Sequence, residues 1–229
     1  MNIDPNRCVV LVPVAQTIVP GCEAALTELE RRGYAVRRVH GYAAIDQARN
    51  QMATDALRAG FHETMWIDSD IVFHPDAIDQ LRALDLPISG GICVKKNERA
   101  LAIHAMPECQ EIIFGTGGGT LEVQYAGTGF LHVRREVYES IETQFDLPTC
   151  NEQFGSPMVP YFLPMIVNSD TKPWYLAEDY AFAERAKQCG YKIIVDSRIR
   201  LLHVGPYGYS WEDAGGSNQR HETYGFRLT

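Results

Sequence analysis

Two short acidic clusters and one histidine are the positions where this sequence could do chemistry. Asp68 and Asp70 close the apolar run Met65-Trp66-Ile67 and are separated only by Ser69. Carboxylates are among the side chains least often fully buried, and a spacing of two along a strand puts both on one side. That charge needs a counterpart. Hard divalent cations such as Mg2+ or Mn2+ take oxygen ligands and are commonly held by one or two carboxylates plus substrate phosphates. The same tripeptide is also ordinary chemistry for a strand leading into a turn. Glu178 and Asp179 open the helical pattern LAEDYAFAERAKQCGY. Carboxylates in a first helical turn complement the helix dipole, and the same place can present a general base to an attacking hydroxyl. His203 follows the apolar IRLL and precedes a Gly-Pro turn. A neutral imidazole there either makes structural hydrogen bonds or completes a metal site begun by the aspartates.

These residues need a frame, and the first half of the chain supplies an alternation of strand and helix. CVVLVPVA (residues 8–15) is a β-branched apolar run of the kind found in a fully buried strand. CEAALTELERRG follows with Ala25, Leu26 and Leu29 on one helical face and Gly33 in the stopping position. YAVRRVHG suits a second strand. In IDQARNQMATDALRAG, Ile45, Ala48, Met52, Ala56 and Leu57 recur at helical spacing and Gly60 ends the pattern. After the acidic strand comes a helix through PDAIDQLRAL, with Pro75 suited to a first turn, and then PISGGICVKK as another strand. Strand–helix–strand repetition implies an α/β protein with a mixed, mostly parallel central sheet covered on both faces, whose ligands gather beyond the carboxyl ends of the strands. Asp68 and Asp70 fall at such an end.

The second half reads as short strands around glycine-rich turns, leading into a helix from about Arg135. GTGGG (residues 115–119) lacks the Lys-Ser/Thr of a phosphate loop and reads as a hairpin turn. The proline-rich DLPTCNEQFGSPMVPYFLPM is expected to be a loop over a site. Residues 204–229 read as a tail, a lid or an arm packing on a partner, with Tyr207, Tyr209 and Trp211 following His203 closely. Trp174, Tyr175 and Tyr161 offer either sugar-stacking faces or plain packing.

Composition narrows the classes. The 229 residues carry a net charge of −8, which argues against a broad surface for nucleic acid while leaving room for one local anion pocket. The six cysteines are scattered, with no CxxC pair and no Cys/His cluster at zinc spacing, so free thiols are expected. No run approaches the roughly 18–20 apolar residues of a membrane helix, and no basic-then-apolar leader opens the chain. The expectation is a cytoplasmic protein forming one domain over residues 1–229, with a homo-oligomer left open.

Taken in order, IDQARNQMATDALRAGFHETMWIDSDIVF, AGTGFLHVRREVYESI and LAEDYAFAERAKQCGYKI resemble GT-A-fold glycosyltransferases, nearest to the family-two-like inverting group, over roughly residues 8–203. The resemblance implies a metal-dependent transfer of sugar from a nucleotide-diphosphate donor to a hydroxyl acceptor, such as a glycan or another small molecule. It implies that Pro13, Val14 and Ala15 face the base, and that Asp46 and Arg49 help bind the nucleotide. Asp68, with Ser69 beside it, would approach the ribose. Asp70, with Asp68 and His203, would hold Mn2+ or Mg2+. Gly127, Thr128 and Gly129 would line the donor-sugar or acceptor pocket. Asp179 matches the catalytic base, with Glu178 beside it. The opening VPVAQTIVPG departs from the usual Pro-Val-Tyr-Asn-Glu type of turn, and the long C-terminal helices of membrane-bound relatives are missing. Retaining transfer and a non-catalytic nucleotide- or carbohydrate-binding module on the same fold remain alternatives. Nucleotidyl transfer is disfavoured because AQTIVPG carries no Lys or Arg.

Overall fold

The computed structural model describes residues 3–168, 172–215 and 222–228. In chain order the elements are β1 (Cys8–Val14), α1 (Pro20–Arg31), β2 (Ala35–His40), α2 (Ile45–Arg58), β3 (Glu63–Ile67), β4 (Ile71–Val72), α3 (Asp76–Ala83), β5 (Ile88–Gly91), β6 (Ile103–Ala105), β7 (Glu111–Gly115), β8 (Thr120–Ala126), β9 (Phe130–Arg134) and α4 (Arg135–Gln144). They continue with β10 (Met165–Asn168), β11 (Pro173–Leu176), α5 (Glu178–Gln188), β12 (Ile193–Asp196), β13 (Leu202–Val204), β14 (Gly208–Tyr209), α6 (Trp211–Gly215) and β15 (Thr223–Arg227).

The central sheet has eight strands in the order β2-β1-β3-β9-β5-β12-β8-β6. β1 is fully buried because both its faces are covered. Its alternating side chains feed two cores: Val9 and Leu11 join Met52, Ala53 and Trp66 on the α2 side, while Cys8, Val10 and Val12 join Cys22, Leu26 and Leu29 on the α1 side. β2, β1 and β3 pair in parallel, as does β5 with β12. β9 runs antiparallel between β3 and β5, and β8 runs antiparallel to β12 and β6. Six of the eight strands therefore share a direction, although only three of the seven pairings are parallel.

Several expectations are corrected. GTGGG does not close a hairpin, because β7 before it pairs with β15 while β8 after it belongs to the central sheet. The proline-rich loop is not a lid. Its Val159 N–H donates to Thr54 Oγ1 (2.9 Å) and its Phe162 N–H to Asn50 Oδ1 (2.7 Å), which pins it into the core against α2. Tyr161 within it is buried and donates to Glu142. The described residues beyond His203 are part of the body: Trp211 is 1% exposed and stacks on Phe114, and β15 pairs with β7 along its length. The six cysteines are free thiols. Among the described residues no helix is long and apolar enough to cross a membrane.

Candidate active site

A cavity of about 590 Å3 opens beyond the carboxyl ends of β1, β3 and β5, within the usual size range for a small-molecule site. Pro13, Val14 and Ala15 line it from the end of β1, and Asp68, Ser69 and Asp70 from the end of β3. Gly127, Thr128 and Gly129 line it just before β9, Arg49 comes from α2, Glu178 and Asp179 from the start of α5, and His203 from β13. These residues were singled out from sequence and are brought together by the fold. Asp46 is the exception. It lies in the first turn of α2 but does not line the cavity, whereas its neighbour Ile45, read from sequence as a core residue, is 43% exposed and does.

The two aspartates lie in a tight turn past β3, not in the strand itself, and three backbone links of that turn have distant partners. Asp68 N–H donates to Gly129 O (3.0 Å), and Ile71 N–H donates back to Asp68 O (3.0 Å). Ser69 O accepts from Val19 N–H at the start of α1 (2.9 Å), and Asp70 O accepts from Val204 N–H (2.8 Å). The turn is thus held from three directions, and closed on itself by the Ile71–Asp68 bond, before any ligand arrives.

The charges of the turn are divided between different cations. Arg49 is 4% exposed and forks between two carboxylates: Nη2 donates to Asp68 Oδ1 (2.8 Å) and Nη1 to Glu178 Oε1 (2.6 Å). Its guanidinium is committed to the protein's own acids, and it organises the cavity wall that joins α2, β3 and α5. Asp70 instead faces Lys96 and His203. Lys96 Nζ lies 2.6 Å from Oδ2, and His203 Nε2 lies 3.4 Å from Oδ1. His203 reaches that place because it stands opposite Ile71 in the β13–β4 pairing. Its Nδ1–H donates to Val94 O (2.8 Å), which turns Nε2 toward Asp70.

Burial pushes the Asp179 carboxyl above the ordinary range, with Asp68 adding to the rise, and Arg49 and the Tyr180 N–H pull it partly back. Glu178 is raised in the same way, chiefly by burial, against Arg49, with Asp179 beside it adding to the rise. Asp70 goes the other way. Burial alone would raise it, but hydrogen bonds from His203 and Lys96 prevail and bring it to about 2. One rim therefore carries a carboxylate held below its ordinary range and two held above theirs.

Closeness singles out Gly129, whereas Gly127 leaves room for an ordinary contact. A Cβ on Gly129 would come within 3.0 Å of Asp68 Oδ2, and one on Gly127 within 3.5 Å of Asp179 Oδ2. Asp179 Oδ1 accepts from Tyr180 N–H (2.7 Å), so one oxygen is anchored and the other lies on the Gly127 side. Thr128 between them is 1% exposed, and its Oγ1 has no hydrogen-bond partner among the described residues. A buried hydroxyl without a partner on a cavity wall is costly unless a ligand satisfies it.

Lys96 is the residue that reading the sequence missed. VKK was read as the end of a strand, yet β5 stops at Gly91 and Lys96 sits in a turn closed by a Val94–Leu101 bridge. A basic residue just past the carboxyl end of a sheet strand was the available signal. The proposed stacking aromatics are elsewhere: Trp174 packs on His104 and Tyr125, Tyr209 and Trp211 are buried, and none of these residues, nor Tyr161, Tyr175 or Tyr207, lines the cavity.

The chemistry of the donor set fits a divalent ion at Asp70. An ionised carboxylate and an imidazole nitrogen face one another there, with Lys96 Nζ on the second carboxylate oxygen, and a bound ion would take its further oxygens from phosphate and water. Asp68, expected from the sequence to share the ion, has its Oδ1 paired with Arg49. Among the described residues no group of three or more His, Cys, Asp or Glu side chains could hold a metal by itself.

The eight-stranded mixed sheet flanked by helices is the α/β architecture expected from the sequence. No protein-family model matches the chain, and no curated protein matches its sequence. Among solved structures, the chain is similar to A197 from STIV, with 16% identity, a TM-score of 0.61, and coverage of 91% of this chain and 92% of that one. At that identity the likeness concerns the fold. Weaker likenesses include S. aureus TarS 1-349, at 13% identity and a TM-score of 0.43, covering 84% of this chain and 58% of that one. GalNAc-T7 with UDP, GalNAc and Mn2+ gives 10% identity and a TM-score of 0.46, covering 92% of this chain and 45% of that one.

Proposed function

We propose that this chain is a glycosyltransferase that moves a sugar from a nucleotide-diphosphate donor to a hydroxyl acceptor, with inversion at the anomeric carbon. The observation that carries the reading is the opposition, across one cavity, of the Asp179 carboxylate, which burial raises above its ordinary range, and the Asp70 carboxylate with His203 beside it. Transfer needs both ends. A general base works best when its pKa lies near the working pH, and burial moves Asp179 in that direction.

Asp70 and His203 would hold Mn2+ or Mg2+, which when bound supplies Lewis-acid stabilisation of the leaving diphosphate. Pro13, Val14 and Ala15 line the end of the cavity that suits the nucleoside, and Thr128 offers its hydroxyl to the donor. Arg49 fixes Glu178 and Asp68, so that Asp179 Oδ2 is presented without rearrangement. The acceptor oxygen bonds to the anomeric carbon as its proton passes to Asp179 Oδ2. The glycosidic C–O bond breaks in the same displacement, and its electron pair leaves on the diphosphate.

The test pairs wild type with Asp179→Asn over a panel of sugar nucleotides and hydroxyl acceptors in Mn2+. Transfer in the wild type, lost in the variant while calorimetric donor binding persists, supports the reading. Near-normal turnover in Asp179→Asn overturns the base. Donor binding with no transfer or hydrolysis across the panel points instead to a binding module. Retention of anomeric configuration in the product, read by NMR, excludes the single displacement.

A further inference from the structure

We propose that Lys96 is a resident counter-ion that a divalent cation must displace from Asp70, so that the free chain discriminates against metal until a diphosphate arrives to receive the lysine. The inference rests on the reading of Asp70 and His203 as a metal seat and adds to it the residue that occupies that seat first.

The placement of Lys96 is built. The turn that bears it is closed by the Val94–Leu101 bridge and by Lys95 N–H donating to Ala100 O (2.9 Å). The next residue, Asn97, sits in the left-handed region (φ 63°), and its Oδ1 accepts from Tyr209 O–H (2.9 Å). The lysine stem passes beside Gly205, where a Cβ would meet Lys96 Cδ and Tyr209 Cε2 at 3.2 Å each. Val94, on the same turn, accepts from His203. One anchored turn therefore positions both groups that face Asp70: the imidazole through Val94 O and the ammonium directly.

The two cation contacts on this rim differ in a way that matters. Arg49 is buried and forked between two acids, a fixture of the wall. Lys96 and Asp70 are 33% and 30% exposed, joined by a single contact on a flexible four-carbon stem. Pairs of that kind contribute little net stability and part easily. An ammonium and a divalent ion cannot both stay against one carboxylate without strong repulsion. Entry of the ion therefore releases Lys96, and a diphosphate bridged to the ion is the nearest anion able to take it.

Manganese binding, measured by calorimetry or by the EPR signal of free Mn2+ with no sugar nucleotide present, tests this directly. Lys96→Met should bind Mn2+ at least about tenfold more tightly than wild type, and Lys96→Arg should stay close to wild type. Adding His203→Ala to Lys96→Met should remove the gain, which locates it at this seat. With inorganic pyrophosphate as the probe, and solution chelation subtracted, the wild-type Mn2+ affinity should climb toward that of Lys96→Met. Equal Mn2+ affinity in wild type and Lys96→Met, or no Mn2+ binding by either, overturns the proposal, as does a gain that survives His203→Ala. Lys96→Gln is the second variant if Lys96→Met fails to give a normal melting transition. Failure here with Asp179-dependent transfer intact removes the displacement and leaves the transferase reading standing. A tenfold gain with no turnover of any sugar nucleotide does the reverse.

Discussion

Replacing Arg49 by Met keeps most of the side-chain volume and removes the one charge that joins α2, β3 and α5. The guanidinium is 4% exposed and its two charged hydrogen bonds are 2.6 and 2.8 Å long. Removing one partner of a buried ion pair costs about 3–5 kcal/mol, because the other is left without compensation. Asp68 is 34% exposed and recovers some hydration, whereas Glu178 at 16% recovers less. The low end, about 3 kcal/mol, is the expected cost at pH 8. With an m value of about 3 kcal/mol/M for a domain of this size, the urea midpoint should fall by about 1 M.

The pH dependence of that deficit separates electrostatics from packing. Glu178 and Asp179 already sit above their ordinary values, and Arg49 is what restrains them. Without it their folded values rise further above the unfolded ones, so the native state binds more protons than the unfolded chain through that window. Stability of the variant then falls as pH rises through the window and recovers as pH falls. The wild-type-minus-variant gap should narrow between pH 8 and pH 5, and Glu178→Gln added to Arg49→Met should close part of it at pH 8. Urea titrations of the three proteins at both pH values provide the measurement. A midpoint shift under about 0.2 M at pH 8, or a gap that does not change with pH, refutes the bridge as the organiser of this rim.

Gly129→Ala should weaken sugar-nucleotide binding by about tenfold or more, since its Cβ would press on Asp68 Oδ2 at 3.0 Å; calorimetry against a melting curve separates this from unfolding. Thr128→Val removes a hydroxyl that no protein group satisfies, so the fold should be unchanged or slightly more stable while donor affinity drops. Trp211→Ala should cost about 3–5 kcal/mol in urea unfolding, because the ring is core and not tail; an unchanged midpoint would contradict that placement. In acid, Asp70 contributes stability that is present above its unfolded value near 3.8 and is lost as pH falls toward about 2. Asp70→Asn should therefore flatten the acid limb of the unfolding curve in that interval.

The sequence determined the elements by local physics. A continuous β-branched apolar run and period-3.6 apolar patterns put β1, α1, α2 and α5 within a few residues of their places, and Gly33, Gly60 and Gly190 stop helices because each takes a positive φ. It also determined the acids, since a charged pair at the end of an apolar run has few structural excuses. The partners of those acids were beyond it. Arg49 meets Glu178 across 129 residues, Lys96 meets Asp70 from a turn that looked like a strand, and His203 reaches the same carboxylate only through the β13–β4 pairing. The docking of residues beyond His203 depends likewise on β7 leaving the central sheet to pair with β15. Strand order, long-range pairing and the sharing of charge among distant side chains are properties of the closed chain, because the free energy of such contacts exists only once both partners have been brought out of water to the same place.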